Sequence, residues 1–110
     1  MISKKVTHLI TTIERGGAEK QLLILASEQV QSGLNVVVLY LKGMPDLRNE
    51  FEAAGVEVNN LLVGKNFLKQ IFLLSKYLRK NPSPVHAHLP KSELLTAIVV
   101  ANKYFIFRYF

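Results

Sequence analysis

Two short stretches carry residue types that can do chemistry. The first is "ERGGAEKQ", residues 14–21. Gly16 and Gly17 sit between an apolar run, "VTHLITTI", and an amphipathic run, "AEKQLLILASEQV". Without side chains, a ligand can approach the main chain closely and unusual torsions are allowed. A helix starting there presents unpaired N–H groups and a partial positive charge of about half a unit. An anion, typically a phosphate, is the expected guest; the structural alternative is a tight turn that binds nothing. The second stretch is "VHAHLP", residues 85–90. His86 and His88 are two apart on a strand and so share one face. His88 falls at the carboxyl end, on the same rim as the glycines, and is placed to contact a ligand. His86 reads as a hydrogen-bonded histidine packed inside.

An H-x-H pair is only part of a zinc ligand set. The chain has no Cys, its single Asp is Asp46, and Glu93 is the only carboxylate near the pair in sequence. No metal centre is therefore expected. His8, inside the first strand, reads as a residue of the core or the sheet surface. Glu50 and Glu52 read as a solvated face rather than a catalytic acid pair. Glu14 and Glu19 flank the glycines, and Glu19 suits the dipole of a helix start. No D-x-D stretch exists to clamp a metal and a diphosphate. Backbone N–H groups and cations would have to hold one.

Those residues need a scaffold, and the chain alternates strand and helix. "KVTHLITT" (5–12) is β-branched and mostly apolar, as a buried parallel strand is. A helix follows from about Gly17 to Ser32, with Ala18, Leu22, Leu25, Ala26 and Gln29/Val30 on one stripe. Gly33 stops it. "NVVVLYL" (35–41) is a second strand. "GMPDLRNEFEAAG" (43–55) is a turn and short helix ended by Gly55. "VEVNNLLV" (56–63) is a third strand. "NFLKQIFLLSKYLRK" (66–80) is a helix with Asn66 as cap and Phe67, Ile71, Leu74 and Leu78 on one face. "VHAHL" (85–89) is a fourth strand, 91–103 a helix, and "YFIFRYF" (104–110) a fifth strand. This predicts an α/β fold, one domain over 1–110, with a doubly wound parallel sheet of about five strands.

Other readings are disfavoured. The dinucleotide pattern G-x-G-x-x-G is absent, and "LYLKG" stands where an acidic ribose partner belongs. The phosphate-loop ending G-K-[ST] is absent as well. Net charge is +6 with a pI near 9.7, which favours anionic partners. The lysines are scattered from Lys4 to Lys103 with no basic block or aromatic stacking platform, so nucleic acid is not expected. The absence of cysteine suits a reducing cytosol. No apolar stretch reaches the roughly 18 residues of a membrane span.

In order and spacing, "GGAEKQLLILASEQVQSGLNVVVLYLKG", "EAAGVEV" and "LRKNPSPVHAHLPKSELLTAIVV" are specific. Together they resemble the N-terminal half of retaining glycosyltransferases of the large family-four type, with the GT-B fold. The resemblance covers residues 5–103. It implies a Rossmann-like, acceptor-side domain facing a C-terminal domain that holds the nucleotide-sugar. Gly16 and Gly17 would face the donor sugar and diphosphate. His88, Leu89 and Pro90 would line the acceptor side of the cleft. Substrates would be a nucleotide-sugar and a glycan or lipid-linked acceptor, with no cofactor and no metal. A cytoplasmic place, including peripheral association with an anionic membrane face, is compatible with the charge.

The chain stops at "KYFIFRYF", before the Thr-x-His-like segment and C-terminal domain that the family carries. The resemblance thus implies an incomplete half whose activity needs a C-terminal GT-B domain. The isolated chain is expected to be inactive and, with an apolar aromatic edge, poorly soluble. The alternative function is a non-catalytic Rossmann-like module that binds an anionic ligand or a protein partner.

Overall fold

The computed structural model describes residues 4–88 and the backbone of 107–109. Within them the chain runs β1 (Lys5–Ile10), α1 (Gly17–Gln31), β2 (Asn35–Tyr40), α2 (Arg48–Ala53), β3 (Glu57–Asn59), α3 (Phe67–Lys80), β4 (Val85–His88) and β5 (Phe107–Tyr109). β1 to β4 form a parallel sheet, and β5 extends it beside β4. The strand order is β3-β2-β1-β4-β5. The fold is α/β, as the alternating pattern predicts. The segment predicted as a helix over 91–103, and the rest of the 104–110 strand, lie outside the described residues.

Strand alternation divides the core in two. Even-numbered side chains Ile10, Val36, Val38 and Tyr40 join Leu22 and Ala26 of α1 and Phe51 of α2 on one face. Odd-numbered Leu9, Val37, Leu39 and Val85 join Leu74 and Leu78 of α3 on the other. β1 and β2 are buried on both faces, which explains their near-continuous apolar sequence. Helices therefore cover both faces of the sheet. No helix among the described residues is long and apolar enough to cross a membrane.

Both helices on the first face end in the same way. At the end of α1, Gly33 (φ +94°) donates to Val30 O and Leu34 N to Gln29 O. At the end of α2, Gly55 (φ +90°) donates to Glu52 O and Val56 N to Phe51 O. This paired 5→2 and 6→1 pattern is the Schellman motif, which turns the chain sharply into the next strand. α3 begins with Asn66, whose Oδ1 accepts from Lys69 N at 2.8 Å, the expected cap.

Three expectations need correction. β3 spans only Glu57–Asn59 rather than 56–63. Asn59 Oδ1 accepts from Leu61 N at 2.8 Å, and this Asx turn ends the strand. β1 stops at Ile10 rather than at residue 12, because Thr11 O turns to the amides of Leu41 and Lys42. Ala18, assigned to the apolar stripe of α1, is exposed, while Leu23 packs against the core instead.

Candidate functional site

The chain passes outward from β1 to β2 and β3, then returns to place β4 on the other side of β1. Strand order reverses there, and in an open parallel sheet the crevice for ligands lies at the carboxyl ends of such strands. Ile10 and His88 are register partners at those ends. The loop carrying Gly16 and Gly17 continues from β1. The topology thus brings the glycine loop and His88 to the same rim.

The loop is tied down by its neighbour after β2. Leu41 and Lys42 donate to Thr11 O, and Leu47 donates to Ile13 O. Glu14 Oε2 accepts from Met44 N at 2.9 Å. Asp46 accepts from Arg15 N at 3.2 Å, and Arg15 pairs with Glu50 at 2.7 Å. This hydrogen bond holds the exposed Glu50 carboxyl below its ordinary value. Glu52 pairs with Arg48 at 3.1 Å. Glu14, Glu50 and Glu52 are thereby accounted for as surface and loop ties.

Gly16 is the N-cap of α1, with φ −163° and ψ 178°. That is extended backbone open to any residue, so torsion does not require glycine here. Space comes closer to doing so: a Cβ on Gly16 would lie 2.8 Å from Glu19 Oε1. The Glu19 carboxylate folds back over the start of its own helix, and its Oε2 accepts from Thr12 Oγ1 at 2.7 Å. A negative group already lies against the positive helix end. A Cβ on Gly17 would meet nothing within 4 Å. Leu89 and Pro90 lie outside the described residues.

The larger surprise is on the sheet. The three histidines of the chain come together as one cluster: His8, His86 and His88. His8 and His86 are register partners on β1 and β4, with His88 one pleat nearer the rim. Ring centroids lie 5.2 Å apart for His8 and His86, 5.0 Å for His8 and His88, and 4.1 Å for His86 and His88. His8 is fully buried, and the other two are half-buried.

Hydrogen bonding assigns the tautomers. His8 Nε2 lies 2.7 Å from Gln29 Oε1, an acceptor, so Nε2 carries the His8 proton. His8 Nδ1 is then an acceptor, and His88 Nε2, 2.9 Å away, donates to it. Burial lowers the pKa of His8 to about 4, against the Gln29 hydrogen bond, and a charge on His86 would lower it further. Burial, then His86 and His8, lower that of His88 to about 3. Burial lowers that of His86 as well. All three imidazoles are therefore neutral near pH 7, the state that binds metals.

The H-x-H spacing lacked a third imidazole, and β1 supplies it. The sequence places His8 in the core or on the sheet surface and Gln29/Val30 on an apolar stripe. The usable signal was parity: His8 shares the even-numbered face of β1, and β4 docks beside β1 in a register that aligns it with His86. Comparison with protein-family models, curated proteins and solved structures finds no match for this chain.

Proposed function

We propose that this chain is the Rossmann-like, acceptor-side half of a GT-B glycosyltransferase, acting on a nucleotide-sugar and a glycan or lipid-linked acceptor. The observation that supports this reading is that β1, which leads into the glycine loop, and β4, which ends at His88, are neighbours at the strand-order reversal. The order β3-β2-β1-β4-β5 is also that of a Rossmann-type half. The resemblance of "GGAEKQ", "AAGVEV" and "VHAHLP" to that family supplies the chemistry.

In this reading, N–H groups at the start of α1 lie beside the diphosphate as the glycosidic bond breaks. Oriented donors stabilise charge that develops in the transition state. His88, Leu89 and Pro90 line the acceptor side. The nucleotide is held by a C-terminal domain, and catalysis takes place between the two. The second reading is a non-catalytic Rossmann-like module that binds an anionic ligand or a protein partner; Glu19, which already lies against the helix start, weighs against a diphosphate there and so toward this reading's protein partner.

The test joins this chain to the nucleotide-sugar-binding domain of a family-four-type enzyme and measures sugar transfer. Transfer is expected, with Gly16→Val reducing it at least a hundredfold, in the range seen when one oxyanion donor is lost. A folded, inactive fusion supports the second reading. Undiminished transfer by Gly16→Val removes the loop from the site.

A further inference from the structure

We propose that His8, His86 and His88 form a binding site for a divalent transition metal ion of the zinc class. The inference does not rest on the sugar-transfer reading. It rests on the convergence of every histidine in the chain onto one face of two adjacent strands.

The donor set selects the metal class. Three imidazoles suit zinc, cobalt, nickel or copper, and do not suit calcium or magnesium, which demand oxygen ligands. Three histidines with a fourth position left for solvent is an established zinc arrangement. One candidate ligand atom from each ring lies within 4.8 Å of the others. Tetrahedral zinc with Zn–N near 2.0–2.1 Å needs nitrogens about 3.4 Å apart. His8 Nδ1 and His88 Nε2 are already 2.9 Å apart.

Gln29 adds the feature expected around a metal-binding histidine. A ligating imidazole donates its other N–H to a carbonyl or carboxylate, which fixes ring orientation and raises ligand basicity. Gln29 Oε1 takes the Nε2 proton of His8 at 2.7 Å, leaving the Nδ1 lone pair directed at His88. α1 thus orients a ligand on β1 toward two ligands on β4.

Loading the site requires no redox step. The proton on His88 Nε2 moves to its Nδ1 through solvent. The ion then accepts lone pairs from His8 Nδ1, His88 Nε2 and one ring nitrogen of His86. The ion replaces the hydrogen bond between His8 and His88 with a link from β1 to β4 at the strand-order reversal.

The experiment uses the untagged full chain, freed of metal by a chelator, with Co²⁺ and Zn²⁺ as probes. Co²⁺ is expected to bind one ion per chain, give the intense visible absorption of tetrahedral cobalt, and be displaced by Zn²⁺. Zn²⁺ should also raise the Tm, since it binds the folded state. His86→Asn and His88→Asn should each weaken Co²⁺ binding at least tenfold, with folding checked by circular dichroism. Gln29→Leu should weaken it about ten- to hundredfold, as loss of an outer partner does. Absence of the cobalt band in folded wild-type protein overturns the site. Affinity unchanged in the His86 and His88 variants overturns it too.

Discussion

At the residue scale, the glycine loop and the histidine cluster respond to charge in opposite ways. The Glu19 carboxylate lies against Gly16 and holds Thr12. A diphosphate arriving at the helix start meets a like charge there. In the fused enzyme, Glu19→Gln should lower the donor KM about two- to fivefold. That corresponds to the roughly 0.3–1 kcal/mol of a charge near a helix terminus; a raised KM would instead make Glu19 a donor-binding group. The imidazoles of His8, His86 and His88 are held below their ordinary pKa in the folded state. The unfolded chain therefore binds more protons than the folded one as pH falls below about 6.5. Stability is full above that value and is lost as pH falls toward about 4 for His8 and about 3 for His88. His8 alone should cost on the order of 2 kcal/mol by pH 5, or several degrees of Tm. Thermal scans with a chelator present should show this drop from pH 7 to 5, and a flatter profile for His8→Asn.

At the element scale, the two Schellman turns set how α1 and α2 hand the chain to the sheet. They have the same hydrogen bonds but different surroundings. A Cβ at Gly33 would meet nothing within 4 Å, while one at Gly55 would lie 2.9 Å from Val30 Cγ1. Gly33→Ala should therefore cost only the left-handed backbone strain, about 1–2 kcal/mol. Gly55→Ala should cost more, because Val30 on α1 must also give way. Urea denaturation of the two variants distinguishes them; equal losses would mean that α1 and α2 repack freely. Both glycines could be assigned from sequence, because "SGLNV" and "AGVEV" put glycine where a helix stops and a strand starts. The end of β3 could not be read so directly. "VEVNNLLV" has strand-like apolarity, and only the Asn59 side chain turning to Leu61 N ends it.

At the scale of the whole molecule, the outer face of α3 carries the two largest exposures of apolar side chains on one helix among the described residues. Leu68 and Phe72, one turn apart, are 77% and 62% exposed. Their inner neighbours Leu74 and Leu78 already fill the core. Leu68→Glu with Phe72→Glu should thus lower self-association in light scattering while leaving Tm within about 1–2 °C. A large Tm loss would place these side chains in a contact that stabilises the chain.

Much of this architecture was settled by local order in the sequence. Apolar runs, helix stops and the Asn66 cap act between neighbours, so alternation of strand and helix, the parallel sheet and the position of the glycine turn followed from residues read in sequence. Gln70 shows where that reach ends. Its side chain is buried on α3 and donates to Leu62 O and Leu41 O, which no periodicity announces. The histidines show it more fully. His8 and His88 are 80 residues apart and hydrogen-bonded. Only the docking of β4 against β1, in a register pinned by the buried face of Val85 and Ala87, decides that the three rings meet.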